Sequence, residues 1–355
     1  MKEFSEADIY YMQRCLQLAR CGSGSTSPNP MVGAVIVCDG RIIGEGYHIR
    51  AGEPHAEVNA VRSVKECDRE LLQRSTIYVS LEPCSHHGKT PPCCDLIISC
   101  GMKRVVIATT DFNAQVNGEG IARMQRAGIE VVTGLLSDEA QRLNSGFFTL
   151  HRLNRPYITL KWAETADGFI DRRRSSIDDG AALAISTPGS MVAVHKLRAQ
   201  CDAILVGTRT ALLDNPSLTV RHWAGRNPLR LVIDKENTLP ASLRLFNDEA
   251  RTVVYTYNVK DGKFGKNVEQ VALAEGGVLE QIMQHLASLK VNSLIVEGGA
   301  ALLQSFIDAG LWDTARVERN PLLAIGNGVA APVLPKGVRC STEKLFGNEI
   351  LSFYA

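Results

Sequence analysis

His55 and Glu57, separated by one alanine, are followed in the chain by two thiols, Cys84 and Cys93, each directly after a proline. One imidazole and two thiolates are a ligand set with which zinc activates water. A nearby carboxylate outside that set can move protons, and together these are the groups that hydrolytic deamination of a base requires. Each fragment alone has a plainer explanation: a lone His-x-Glu is usually a helix surface, and scattered cysteines are usually buried thiols. Their order, His-x-Glu, strand, Pro-Cys and then a cysteine opening a helix, favours the zinc set over coincidence. A disulfide is the main structural alternative. Ten cysteines spread through 355 residues do not form the compact framework of a small secreted protein, so free thiols or metal ligands in a reducing compartment fit better.

Eight residues, SHHGKTPP, lie between the two cysteines, where the usual deaminase signature has two. A spacer carrying His86, His87 and Lys89 beside a metal suits an anionic or hydroxyl-rich part of a substrate.

These residues need elements to hold them. The first twenty residues read as an amphipathic helix, with no secretory signal. MVGAVIV and RIIGEGY flank Asp39-Gly40 as a β-hairpin. Pro54 suits the first position of a helix through HAEVNAVRSVKEC. Mid-helix, His55 and Glu57 would diverge; at a helix end both can face one cavity. STIYVSL reads as a strand, CDLIISC as a helix stopped by Gly101, and RVVIATT, IARMQRAG and IEVVTG as strand, helix and strand. Cys93 then opens a helix, where the dipole favours thiolate. This alternation predicts a layered α/β domain.

Length predicts about two domains. The change of character across NSGFFTLHRLNRP (144–156) sets them at 1–150 and 155–355. In the second, YITLKWA, DAILVG, LRLVID, TVVYTY, NSLIVEGG and ILSFYA are strand-like, and MVAVHKLRAQ, LEQIMQHLASL and ALLQSFIDAG helix-like. No G-x-G-x-x-G follows a strand, so a Rossmann dinucleotide site has no support. Glu297-Gly298-Gly299 stands where a strand meets a helix, a turn that admits a pyrophosphate but is also a common packing device.

Lysine plus arginine (39) nearly balances aspartate plus glutamate (38), so no global field recruits nucleic acid or an anionic membrane. No apolar stretch approaches the ~20 residues of a membrane span. The expectation is a cytoplasmic protein acting on a small molecule, with no nucleic-acid or membrane partner and a homo-oligomeric state.

The sequence closely resembles the bifunctional deaminase/reductase family of riboflavin biosynthesis. The resemblance rests on SPNPMVGAVIV (27–37), GEPHAEVNA (52–60), LEPCSHHGKTPPC (81–93), ITLKWAETADG (158–168), ILVGTRTALLDNPSLTVR (204–221) and VEGG (296–299), which span both halves. It implies an N-terminal cytidine-deaminase-like three-layer α/β/α domain and a C-terminal dihydrofolate-reductase-like α/β domain. The implied first reaction is zinc-dependent deamination of 2,5-diamino-6-(5-phosphoribosylamino)pyrimidin-4(3H)-one. The second is reduction by NADPH of the ribosyl group of 5-amino-6-(5-phosphoribosylamino)uracil to ribityl.

The resemblance places zinc on His55, Cys84 and Cys93, proton transfer on Glu57, and substrate in the first half near Asn29, His48, His86 and Lys89. In the second half it places cofactor near Ala163, Ala184, Thr210, Asp214, Gly299, Ala300, Ala301, Leu302, Leu303, Gln304 and Ser305. Substrate there falls near Arg198, Leu218, Arg221 and Glu297, with Lys161 and Asp167 as further candidates. Arg198 and Arg221 have the chemistry to grip a phosphate; a surface ion pair is the plainer role for each, and a turn cap for Asp214. Two departures stand out. Asp111-Phe112-Asn113-Ala114 replaces Asp-Pro-Asn-Pro. Ala184-Ile185-Ser186-Thr187 replaces Trp-Ile-Thr-Ser after a longer segment, DRRRSSIDDGAAL, which implies altered cofactor binding.

Two other classes remain open on the residues alone. One is a nucleoside or RNA deaminase with a non-catalytic second domain, against which stands an aromatic content of only 6%. The other is a non-catalytic zinc-stabilised nucleotide-binding protein, which a fourth protein ligand on the metal would favour.

Overall fold

The structure is a computed structural model and describes residues 4–86, 91–110 and 118–355. The chain divides into two compact units, Met1–Leu153 and Asn154–Ala355.

In the first unit, β1 (Gly33–Cys38) and β2 (Arg41–Tyr47) form the expected antiparallel hairpin. Asp39 and Gly40 both have positive φ (50° and 77°), as a two-residue turn matched to strand twist requires. With β3 (Thr76–Val79), β4 (Arg104–Ile107) and β5 (Glu130–Thr133) they make a five-stranded sheet of order β2-β1-β3-β4-β5. The β3-β4 and β4-β5 pairs are parallel. Every residue of β1 is buried, and the alternation explains why. Ala34, Ile36 and Cys38 pack with α2 (Ala56–Ser63), α3 (Cys93–Ser99) and α4 (Glu119–Arg126). Val35 and Val37 pack on the opposite face with Met12, Cys15 and Leu16 of helix Glu6–Arg20. A sheet covered on both faces is a three-layer α/β/α unit.

Two details differ from expectation. Pro54 precedes α2 instead of opening it: His55 is the N-cap, in an extended conformation. The Pro54 carbonyl accepts hydrogen bonds from His48 Nδ1 (3.1 Å) and Asn59 Nδ2 (3.3 Å), which hold it outside the helix. The stretch expected to mark the boundary is largely helical: helix Ser145–Leu153 lies within it, just after helix Ser137–Leu143.

The second unit is built on a nine-stranded mixed sheet. In chain order its strands are β6 (Tyr157–Thr165), β8 (Ala203–Gly207), β9 (Leu229–Ile233), β10 (Thr252–Thr256), β11 (Val268–Ala272), β12 (Ser293–Glu297), β13 (Thr314–Asn320), β15 (Arg339–Leu345) and β16 (Asn348–Tyr354). Short strands β7 (Phe169–Asp171) and β14 (Val329–Ala330) pair separately. The order is β11-β10-β9-β8-β12-β6-β13-β16-β15, parallel from β11 to β13 and antiparallel in the last three. Leu205, Leu231, Val253 and Leu294 face helices Val278–Ser288 and Ala300–Asp308. The intervening Ile204, Val232, Val254 and Ile295 face a second core on the opposite side, which includes Ala211 of helix Thr208–Asp214.

Candidate active sites

The end of β3 and the starts of α2 and α3 bring the first site together. Gly46 on β2 lets α2 come close: a Cβ there would lie 2.3 Å from the Ala60 nitrogen and 2.6 Å from the Ala56 oxygen. The helix therefore lies directly on the hairpin, and its N-terminus carries His55 and Glu57. After β3 the chain is tied down by Ser80 Oγ, which accepts the Gly33 N–H (3.0 Å), and by buried Glu82, which accepts the Gly118 N–H (3.0 Å). Cys84 follows on this anchored segment, and the Cys93 N–H at the start of α3 donates to its sulfur (3.3 Å).

His55 Nδ1 stands 3.6 Å from Cys84 Sγ and 3.4 Å from Cys93 Sγ. With a Zn–S bond of about 2.3 Å and a Zn–N bond of about 2.0 Å, a tetrahedral angle sets nitrogen and sulfur about 3.5 Å apart. The donor atoms thus fit a zinc ion with its fourth position open. Among the described residues the cluster able to hold a metal consists of these three side chains, all ligand atoms within 4.8 Å of one another. Hydrogen bonding from Cys93, with His55 second to burial's opposing effect, holds the Cys84 thiol down to about 4, while the same contact and burial push Cys93 up. Alone the pair readily carries one negative charge; a dication lets it carry two. Glu57 is buried beside them, and burial, aided by the Cys84 charge, pushes its carboxyl up to about 7. Such a group can both take and return a proton near neutrality.

His48 is buried, its ring edge-on to that of His55 at 5.5 Å. Its Nδ1 donates to the Pro54 carbonyl, so Nε2 accepts from Asn29 Nδ2 (3.1 Å), which fixes the orientation of the Asn29 amide. His86 is exposed. Lys89, His87 and the 111–114 segment lie outside the described residues.

In the second unit, Lys161 on β6 is the register partner of Glu297 on β12. Arg198, on helix Pro188–Gln200, donates to both Glu297 oxygens (3.2 and 2.6 Å). This pair is buried, so Arg198 is not in a surface ion pair. Against burial, which raises it, Arg198 and then Lys161 hold the Glu297 carboxyl down to about 2. Arg221 differs: its Nη1 donates to Thr219 Oγ1 (3.2 Å), and no carboxylate ion-pairs with it among the described residues. Leu218 has φ 55°, a strained conformation for leucine, and its side chain lies in the core.

Thr210 and Gly299 meet directly, the Gly299 N–H donating to Thr210 Oγ1 (2.8 Å) at the start of helix Ala300–Asp308. Ala163 and Ala300 are partly buried, and Ala184 and Ala301 exposed. Leu303 is wholly buried and Leu302 partly so, both in the core. Gln304 holds the Val333 backbone and Ser305 bonds the Leu302 carbonyl (2.7 Å). Asp214 ion-pairs with buried Arg174, which also binds Asp171 and the Gly180 and Leu213 carbonyls. Arg174 escaped notice in the sequence; the unusual DRRR run was its one signal. Asp167 is spent on a loop, accepting from Thr165 Oγ1, Ile325 N and Gly326 N.

A zinc-spaced triad beside a buried glutamate whose carboxyl is raised, on a three-layer α/β/α unit, defines a hydrolytic deaminase joined to a second α/β unit. Comparison with known proteins agrees with that class. Residues 5–109 match the family model "Cytidine and deoxycytidylate deaminase zinc-binding region", and residues 156–345 match "RibD C-terminal domain". The riboflavin biosynthesis protein RibD of Aquifex aeolicus is 41% identical over 96% of this chain and 93% of its own length. That of Escherichia coli is 41% identical over 89% and 88%. The crystal structure of a diaminohydroxyphosphoribosylaminopyrimidine deaminase/5-amino-6-(5-phosphoribosylamino)uracil reductase from Thermotoga maritima superposes with a TM-score of 0.89 at 35% identity, covering 98% of each chain. Acinetobacter baumannii RibD gives 0.87 at 31%, over 98% of this chain and 99% of that one. The chain belongs to the RibD family, the bifunctional zinc deaminases and NADPH reductases of riboflavin biosynthesis. Because the family covers both units, a deaminase with an inert second half and a non-catalytic zinc protein give way as readings.

Proposed function

We propose that His55, Cys84 and Cys93 hold the zinc and that Glu57 is the proton carrier for deamination of 2,5-diamino-6-(5-phosphoribosylamino)pyrimidin-4(3H)-one. The supporting observation is the zinc-spaced triad beside a buried glutamate. Zinc held there supplies the Lewis acidity that makes water acidic near neutrality. Glu57 takes the proton as water adds to C2 and returns it to the departing amino group, so that C–N cleavage releases ammonia. Asn29 Oδ1 accepts from the pyrimidine, with His48 fixing its amide. His86 and Lys89 face the phosphoribosyl part.

In the second unit Arg198 and Arg221 hold the phosphate of 5-amino-6-(5-phosphoribosylamino)uracil. Glu297, Lys161 and the Leu218 backbone orient its polar groups. The cofactor lies along Ala163, Ala184, Thr210, Asp214 and Gly299 to Ser305, and NADPH when bound supplies the hydride that turns ribosyl into ribityl. The Gly299–Thr210 contact, buried Arg198 and exposed Arg221 support this placement. Arg221, a guanidinium without a carboxylate, is suited to an anionic ligand.

A small-molecule substrate, a cytoplasmic location and a homo-oligomeric state complete the proposal; the near-neutral charge balance supports only the absence of nucleic-acid or membrane partners. No helix among the described residues is long and apolar enough to cross a membrane. Incubation with the diaminopyrimidinone, with and without NADPH, tests the whole reading by product mass and metal content. The expected outcome is about one zinc per chain, as one ligand set implies, with deaminated product alone or, when NADPH is present, the ribityl product. Full deamination by zinc-free protein would sink the metal assignment.

A further inference from the structure

His195 is wholly buried on the same helix as Arg198, three residues before it. Both reach one segment of chain. Arg198 Nη1 lies 3.5 Å from the Thr219 carbonyl, and His195 Nδ1 accepts the Arg221 backbone N–H at 2.9 Å. The His195 ring also stands edge-on to His222 at 4.7 Å, so it braces the chain on both sides of the Arg221 side chain.

The acceptance at Nδ1 fixes the tautomer: the proton sits on Nε2, which has no hydrogen-bond partner among the described residues. A buried polar atom without a partner is unfavourable, and an aliphatic side chain would fill this space without one. What the aliphatic residue could not provide is an acceptor for residue 221. Arg198 is aimed by its paired contact with Glu297, whereas among the described residues no carboxylate ion-pairs with Arg221, whose side chain bonds Thr219 Oγ1. Its backbone N–H, held by His195, is then a second point at which its direction is set.

We propose that His195 is a positioning residue for the reductase half, fixing through the Arg221 backbone where that guanidinium meets the substrate phosphate. This rests on the reading that Arg221 is a phosphate ligand. Protonation would turn Nδ1 from acceptor to donor and set a third positive charge beside two guanidiniums. Burial first, then Arg198 and Arg221, hold the ring down to about 4, so the acceptor form persists throughout the neutral range.

The test uses the full chain and follows NADPH oxidation with the deaminated phosphoribosylamino substrate and its dephosphorylated counterpart, with ammonia release from the first unit as folding control. For His195→Leu, KM for the phosphorylated substrate is expected to rise about tenfold and the preference for it to fall as much, with kcat and KM for NADPH changing less than about twofold. His195→Asn, whose Oδ1 falls near the position of Nδ1, is expected to recover most of the loss, and His195→Gln, with its amide displaced, little. Arg221→Met is the reference. If it keeps the phosphate preference, the phosphate reading itself fails. If it loses that preference while His195→Leu keeps it, the positioning role is overturned. An equal rise in KM for NADPH, or identical behaviour of the Asn and Gln variants, would also overturn it, because either marks the ring as mere packing. Should His195→Leu not fold, the Asn and Gln pair decides alone.

Discussion

The two units hold their reactive groups by different means. In the first, backbone geometry does the work: His55 caps one helix, Cys93 opens another, and a sulfur takes an N–H at a helix start. In the second, charge does most of it: Glu297 and Arg198 pair across two elements, and Arg174 ties Asp171 to Asp214. Helix ends place short side chains within tenths of an ångström, which a metal demands. Ion pairs place long side chains more loosely, and each depends on its partner remaining charged.

The sharpest way to separate the units is Glu57→Gln. Ammonia release is expected to fall by about 10³-fold or more, the scale of a lost general acid–base, while NADPH oxidation with deaminated substrate is unchanged. Parallel loss of both would break the picture of independently held sites. Glu297→Gln strands the buried Arg198 charge and should destabilise the second unit by about 3–5 kcal/mol, seen as an earlier unfolding step with ammonia release intact at low temperature. Gly46→Ala probes the backbone-held site. Its methyl meets α2 backbone atoms, so a cost of about 1–3 kcal/mol and weaker deamination are expected, with reduction as the control.

The smallest effect concerns Asp8, buried in the first unit. Against burial, which raises it, hydrogen bonds from Arg104, Tyr78 and Ser5 hold its carboxyl well below the usual carboxylate range. A depressed carboxyl stabilises above its unfolded value of about 3.9 and loses that contribution as pH falls toward its folded value. Asp8→Asn should therefore cost about 1–2 kcal/mol at pH 7 and progressively less below pH 4, measured by denaturant unfolding across that range. A pH-independent cost would show that shape, not charge, matters there.

What the sequence revealed follows the same division. That His55, Cys84 and Cys93 come together was legible because they sit at element ends marked by proline and by apolar runs, as at Pro92-Cys93 and STIYVSL. Even there Pro54 misled, since its carbonyl is held by His48 and Asn59 outside the helix. The second site was legible by resemblance, but its mechanics were not: Arg174 lies 40 positions from Asp214, and His195 26 from Arg221. No local pattern marks such partners. Strands β13 (TARVERN) and β15 (RCSTEKL) were missed for a related reason. Their charged residues mask alternation, and β15 is exposed almost throughout. Helix Thr208–Asp214, seven residues long, was too short for a helical period to show.

That outermost strand carries a consequence for how the chain behaves in company. Among the described residues β15 pairs with a strand along one side only, and an edge of that kind is a template on which foreign strands can grow. Arg339, Glu343 and Lys344 lie along it. An incoming strand would have to strip water from these charges, so the same residues that hid the strand from pattern also guard the molecule against aggregation.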